Sequence, residues 1–559
     1  MIHDNAEHPH GRAHKVHDDE LASAGFFRYK TNSLVVGFSG KRAVYWNGQG
    51  GLLTVAGPRG RKFTAAIAYN TCHGIYGGSM LILDMKAEIA AVSRDQVGAN
   101  RATRRTLKSR LCRLLGISRT PRAKSCIYWN PAKLHDLPQD RINPCDYLVW
   151  GSPTLISDIK VFCQNILPKS GSANASFFEE RGQSFLEAII YVIVKIDGVL
   201  TLPRLFEIIN LLPGGGERWL DFAFEMHSSN EFPLAVAVEE EIAASRNDNS
   251  GGIRGILAEC SKAVAPLSDD ILMASVSPPY TASLADMLGD HPYHFYLMPP
   301  AEFIESWAPV LKAFFIGGMI WKARSPSAPQ QTWILDECAQ LGNFPLVIRL
   351  FTYGAGINIR PWAFYQSIDQ LRATGPNAEK IIPASASVQQ YFAVREVETA
   401  TMLKRLSGTQ SLHVANPLQQ ARSDHAYKQA VQNLLSGADP ISAALEIAHH
   451  EDAAIYEPLR PRDLLKEDEI LRMQGKMILY ADGLSGTCLL DLVPYYEQRF
   501  MAGYHPNPYH PPLDKVRVKT RFGHACKRVN REPVPPEYAH LPQHADGMWS
   551  YIEPLRWWE

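Results

Sequence analysis

Apolar residues along this chain follow two rhythms. Mainly apolar runs at 52–56, 80–83, 294–298, 333–335, 361–365 and 389–394 read as strands buried on both faces, the habit of parallel sheets. Segments with apolar residues at helical spacing lie between them, among them 302–323. From 143 to about 262 the strand runs stop, and helix-spaced positions take over at 177–195 and 202–212. The alternation predicts an α/β fold interrupted by an all-α insertion. The boundaries read from it are a mobile tail over 1–30, the α/β domain over 31–143 and 266–496, the insertion over 144–265, and an arm over 497–559. The arm is rich in Pro, His and aromatics, as in Tyr504-His-Pro-Asn-Pro-Tyr-His-Pro-Pro512, which predicts extended, turn-rich chain with little regular structure.

Composition narrows the class. With 559 residues, 46% of them hydrophobic and 20% charged, the chain is globular and long enough for several cores. Its 57 basic and 57 acidic residues cancel, so any attraction to nucleic acid or membrane has to be local. The nine cysteines include no Cys-x-x-Cys pair, which argues for a reducing compartment and predicts a cytoplasmic protein. A bilayer span needs about 20 predominantly apolar residues. The two best runs, 185–200 and 308–321, are interrupted by Glu187, Lys195 and Asp197 in one and by Lys312 in the other.

Four stretches carry candidate chemistry. The first is Ala56-Gly57-Pro58-Arg59-Gly60-Arg61-Lys62-Phe63-Thr64, a glycine-bearing turn after a strand. In a phosphate loop such a turn cradles phosphates with backbone N–H groups, a lysine offsets their charge, and a hydroxyl ligates Mg²⁺. Here Lys62 is in place, Arg61 stands where a glycine is usual, Phe63 occupies the hydroxyl position, and Thr64 comes one residue late. Nearby, Gly37-Phe-Ser-Gly-Lys41 has Val35 in place of the first glycine and reads as a turn between strands. The second stretch, Leu83-Asp84-Met-Lys86-Ala-Glu88, delivers charges at alternate positions past a strand end, the edge where open parallel sheets bind ligands. The third, Leu335-Asp336-Glu337, ends an apolar strand in two carboxylates, Asp336 suited to Mg²⁺ and Glu337 to polarising a water. The fourth ends a strand at Gln366, whose amide is placed to sense a γ-phosphate. Together they predict binding of ATP with Mg²⁺.

In order and spacing these pieces resemble the VirD4/TraG family of type IV secretion coupling proteins. That family shows Ala-Pro-Thr-x-Ser-Gly-Lys, Leu-Asp-Pro-Lys-Gly-Glu, Leu-Asp-Glu-Phe-Ala-x-Leu-Gly and a strand ending in Gln-Ser. The corresponding stretches here are Ala56 to Lys62, Leu83 to Glu88, Leu335-Asp-Glu-Cys-Ala-Gln-Leu-Gly342 and Tyr365-Gln-Ser367. The resemblance runs from about Gly37 to Tyr496. It implies a RecA-like P-loop nucleotide-binding domain interrupted by an all-α domain that selects substrate. It also implies a homo-hexameric ATPase that moves a DNA–relaxase complex or effector proteins into a secretion channel. The chain departs from the family at Arg61, Phe63 and Ala87, and lacks the N-terminal membrane helices. Attachment at the inner membrane is therefore expected through secretion-system subunits. The departures in the phosphate loop leave a second expectation, a non-hydrolysing docking subunit of the same machine.

One basic stripe runs from Arg101 to Lys124 without an acidic residue. Its Arg104, Arg105, Lys108 and Arg110 are the candidate nucleic-acid contact, set against a solvated helix face as the plainer reading. The histidines, including His449-His450, show no ligand spacing that a fold would enforce.

Overall fold

The computed structural model describes residues 11–72, 76–94, 124–169, 175–245, 252–413, 417–437, 459–501 and 506–553, with a few isolated positions beyond these. The basic stripe from 101 to 123 and the His449-His450 pair lie outside the described residues.

Eleven strands form one sheet. In chain order they are β1 (Leu34–Ser39), β2 (Arg42–Trp46), β3 (Leu52–Ala56), β4 (Ser79–Leu83), β5 (Ser125–Trp129), β6 (Tyr293–Leu297), β7 (Gln331–Leu335), β8 (Ile359–Tyr365), β9 (Val388–Phe392), β12 (Lys476–Ala481) and β13 (Cys488–Asp491). Across the sheet they run β2-β1-β13-β12-β9-β3-β8-β7-β4-β6-β5. The strands from β9 to β5 are all parallel. Every residue of β3, β4, β5, β7 and β8 is buried, which is why these strands are apolar at most positions. The other side of the sheet is antiparallel: β12 pairs β9 and β13, and β1 pairs β13 and β2. The turn at Gly37-Phe-Ser-Gly-Lys41 thus joins two strands of a hairpin, as its sequence predicts. The separate strands β10 (Thr409–His413) and β11 (Leu459–Asp463) pair beside the sheet.

A buried polar chain pins the central strand. The Thr54 hydroxyl donates to Gln390 Oε1 at 2.7 Å and accepts from Trp362 Nε1 at 2.8 Å, while Gln390 Nε2 donates to the Val36 carbonyl at 2.8 Å. These bonds tie β3 to β8, β9 and β1. With each partner satisfied, they fix strand position without the cost of orphaned polar groups.

The chain leaves the sheet after β5 and returns at β6. Between them the helix Ser176–Asp197 is buried continuously from Phe185 to Val194 except for its Glu187 side. Apolar on nearly all sides, it packs against the helices Leu155–Ile166, Pro233–Ser245 and Gly252–Val264. Gly198 stops it at φ 81°, a left-handed turn that a side chain would strain.

Two stretches differ from their sequence reading. The tail expected to be mobile through residue 30 is docked from residue 11 onward. Ala13 N–H donates to the Thr409 carbonyl at 3.1 Å and Val16 N–H to Thr487 at 3.0 Å, while Leu21 and Phe26 are buried. Two well-placed apolar side chains are enough to hold it. The arm, expected to lack regular structure, forms two hairpins: β14 (Lys515–Thr520) with β15 (Gly523–Arg528), and β16 (Asn530–Pro533) with β17 (Met548–Tyr551). Val516 and Val518 alternate with cations in β14, and this period of two prevails over the Pro-rich lead-in.

Candidate nucleotide site

Parallel pairing brings the ends of β3, β8, β7 and β4 to one edge of the sheet, so four stretches far apart in sequence meet there. After β3 the chain turns tightly, with Gly60 N–H bonded to the Gly57 carbonyl at 3.0 Å. A Cβ on Gly57 would stand 2.3 Å from the Ala393 carbonyl oxygen, so the turn needs glycine there. Arg59 and Arg61 adopt left-handed backbone, φ 58° and 67°, on either side of Gly60. Alternation of this kind turns successive N–H groups toward one anion. Both arginine side chains are exposed, so Arg61 leaves the turn toward solvent instead of crowding it. Pro58 is exposed beside them.

The helix after the loop begins as a π-turn over Lys62–Ile67, closed by Ala68 N–H on the Phe63 carbonyl. A π-turn is what an extra residue in a helix produces. Phe63 points into the core, 9% exposed, with its ring 5.9 Å from that of Tyr495. It is a packing residue, and the nearest hydroxyl in sequence, on Thr64, is half-buried.

Lys62 reaches across to β7. Its ammonium donates to Glu337 Oε1, and Gln366 Nε2 donates to Glu337 Oε2 at 3.0 Å. Glu337 is thereby held from both sides, from a left-handed backbone at φ 51°. Its neighbour Asp336 is half-buried as a residue, but its Oδ1 is buried and has no hydrogen-bond partner among the described residues. Burial pushes the Asp336 carboxyl up to about 6, Lys62 and Lys86 hold it down, and Glu337 and Glu88 push it further up. Asp84 is likewise buried and pushed up to about 8 by burial, although the Ala90 N–H at 2.8 Å favours its charged form. An orphaned buried carboxylate oxygen is costly. A hard divalent cation, which takes oxygen ligands and offsets several carboxylates at once, would satisfy it. The donor set therefore fits Mg²⁺.

The turn after β4 is covered by the arm. The Lys86 carbonyl accepts from His135 Nε2 at 2.9 Å and from the Tyr509 hydroxyl at 3.2 Å, and Asn507 Nδ2 donates to Glu88. Lys86 itself is exposed, and Ala87 sits at φ 49°, a conformation that favours glycine.

On the other flank of the phosphate loop a cavity of about 240 Å³ opens, lined by Gly57, Pro58, Gln366, Gln370, Arg395 and Glu396 among others. The Gln370 amide oxygen accepts from Gln366 N–H at 2.8 Å and so helps set the Gln366 side of the site. Arg395 and Glu396 went unnoticed in the sequence, though their place just past β9 puts them at the same edge. Arg104, Arg105, Lys108 and Arg110 fall outside the described residues.

Residues 107–433, more than half of the chain, match the family described as "Type IV secretory system Conjugative DNA transfer". Two relatives, both conjugal transfer protein TraG of Escherichia coli, are 21% identical over 295 residues and 22% identical over 283 residues. Each match takes in 48% of this chain, but only 45% and 44% of the respective relative, so the chain spans somewhat under half the length of these relatives. Among solved structures, plasmid coupling protein TrwB in complex with ADP and Mg²⁺ aligns with a TM-score of 0.55 at 12% identity, covering 87% of this chain and 94% of that one. TrwB with a non-hydrolysable ATP analogue aligns with a TM-score of 0.51 at 13% identity, covering 87% and 95%. The fold is accordingly the RecA-like nucleotide-binding domain interrupted by an all-α domain. Among the described residues no helix is long and apolar enough to cross a membrane. With its fold and the larger part of its sequence matching, the chain belongs to the type IV secretory system conjugative DNA transfer family.

Proposed function

We propose that the chain is an ATP-driven coupling subunit of a type IV secretion system, delivering a DNA–relaxase complex or effector proteins to the channel. The observation that carries this reading is Glu337 held between Lys62 and Gln366, beside the buried Asp336 Oδ1, which has no partner among the described residues. The loop N–H groups from Gly57 to Thr64 and the Lys62 ammonium bind the phosphates of ATP. Asp336 and the neighbouring Asp84 would hold Mg²⁺, which would supply positive charge to the phosphate oxygens. Glu337 polarises the attacking water and takes up its proton. Gln366 orients Glu337 and is placed to register whether a γ-phosphate is present. Because Lys62 already engages Glu337, an arriving phosphate competes for the same ammonium, so nucleotide binding and release of the carboxylate are coupled. The partners are secretion-system subunits at the inner membrane and further copies of the chain, in a hexameric ring. The substrate-selecting role belongs to the helical insertion.

Turnover of ATP by the purified chain, with Glu337→Gln as control, tests this. The substitution keeps the Gln366 contact and removes the carboxylate, so binding should persist while turnover stops. Binding with no turnover by the unaltered chain would instead favour the docking subunit. Calorimetry with Mg²⁺ that finds no nucleotide binding at all would sink both the motor and the site.

A further inference from the structure

The hairpin β14–β15 stands outside the family match and outside the nucleotide site. From Lys515 to Arg531 the chain has seven lysines and arginines and no acidic residue. Pairing puts Lys515 directly opposite Arg528, and Lys519 opposite His524. Like charges facing each other across strands are destabilising without a counter-ion. Part of that charge is met from below: Glu497 lies 3.5 Å from Lys519 and 2.9 Å from His524. Lys515, Arg517, Arg521 and Arg528 are exposed and have no acidic partner among the described residues, although Asp514 adjoins the first in sequence. At the tip Phe522 is 84% exposed, with the Arg521 guanidinium 5.7 Å from its ring centre. Val518 is buried, so the hairpin is seated on the protein by its opposite face.

We infer that this hairpin is a contact for single-stranded nucleic acid, with backbone phosphates along Lys515, Arg517 and Arg528 and a base stacked on Phe522. A cationic ribbon alone would suit any polyanion. The exposed aromatic beside a guanidinium selects among them, because unpaired bases offer a ring face and acidic peptides or duplexes do not. Its location gives the contact a purpose. Five residues separate Tyr509, which touches the Lys86 carbonyl at the nucleotide edge, from Lys515, a reach of at most about 22 Å. Beneath the hairpin the segment Tyr495–Glu497 links Glu497 to Tyr495, whose ring meets Phe63 behind the phosphate loop. A strand held there is mechanically connected to the nucleotide loop.

The inference names a cargo contact and rests on the transfer reading, so its test is run without nucleotide. Binding of a labelled oligothymidine of about 20 nucleotides to the whole chain is followed by fluorescence anisotropy at several salt concentrations. The triple variant Lys515→Gln, Arg517→Gln, Arg528→Gln should flatten the dependence of log affinity on log salt by about 2, at about 0.7 per phosphate contact for single strands. Phe522→Ala should weaken binding about tenfold while leaving that slope unchanged. Phe522 is at an exposed tip, so this second variant is read even if the triple one folds poorly. Unchanged affinity in Phe522→Ala, tighter binding of duplex than of oligothymidine, equal competition by polyglutamate, or no binding by the unaltered chain would each overturn the assignment. Nucleotide calorimetry on the same samples shows separately whether the ATPase reading stands.

Discussion

Phe63 stands where a phosphate loop ordinarily has its metal-binding hydroxyl, and its replacement by alanine separates two accounts of that position. The ring is nine-tenths buried and leans on Tyr495. Removing a buried Phe side chain costs roughly 3–5 kcal/mol, of which the ring pair accounts for about 0.5–1.5. Phe63 lies near the rim of its cluster, where neighbours can close in, so about 3 kcal/mol is the expected loss. Tyr495 begins the short segment that carries hairpin β14–β15, so the loss should appear as easier opening there. Amide hydrogen exchange across 495–501 and 515–520 should quicken by about a hundredfold, while central strands such as β8 change far less. Nucleotide affinity in the presence of Mg²⁺ should stay within about threefold, because the side chain points away from the phosphate edge. Phe63→Thr should behave the same way and gain no affinity. The reasoning is refuted if either substitution cuts nucleotide affinity more than tenfold with exchange in the arm unchanged, since Phe63 would then be acting at the site.

Three further predictions concern the groups around it. Gly57→Ala should lower nucleotide affinity at least tenfold by calorimetry, because its Cβ would meet the Ala393 carbonyl oxygen at 2.3 Å and force the turn open; wild-type affinity would show that the turn does not hold the phosphates. Asp336→Asn should abolish Mg²⁺-dependent turnover, as chelation of the metal should in the unaltered chain. In metal-free buffer at pH 7 it should nevertheless raise stability by about 1–3 kcal/mol, since it removes a buried charge whose folded-state value of about 6 lies above its usual 3.8. A lower melting temperature would contradict this. Lys124 is buried 2.8 Å from His294 Nε2, and burial holds its ammonium down to about 7 against the usual 10.5. The unfolded chain binds the extra proton between those values, so this lysine's contribution to stability rises as pH increases from about 7 to 10.5. Lys124→Met should remove that slope from denaturant midpoints measured across the range; an identical slope in the variant would show that the lysine is solvated.

The sequence carried the strand ends well and their meeting poorly. Runs such as Leu52–Ala56 and Trp333–Leu335 are legible because a strand buried on both faces is apolar at most of its positions, and the residues just past them are the ones that face ligand. That Lys62, Glu337 and Gln366 touch depends on β8 lying between β3 and β7, and strand order is set by packing across hundreds of residues. That Arg61 can stand where a glycine is usual is not legible from the residue type, because it depends on a left-handed backbone that leaves the side chain exposed. Phe63 looked like a defect until Tyr495, more than 400 positions away, supplied its partner. In the arm, alternation of valine with lysine and arginine marked β14, but the preceding prolines and histidines dominated the reading.

The strand order has a consequence for how the protein is made. The first three strands of the parallel part to leave the ribosome, β3, β4 and β5, never pair with one another: β8 and β7 lie between β3 and β4, and β6 lies between β4 and β5. The phosphate loop after β3 cannot meet the rest of the nucleotide edge until β8 has been synthesised, some 300 residues after β3. Meanwhile the buried strands Leu52–Ala56 and Ser79–Leu83 wait for partners, the second until β6 at residue 293 and the first until β8, while the helical insertion, whose contacts are mostly local, can already assemble. Nascent chains stalled before residue 293 should therefore hold a folded insertion flanked by unpaired strands, the species most in need of a chaperone.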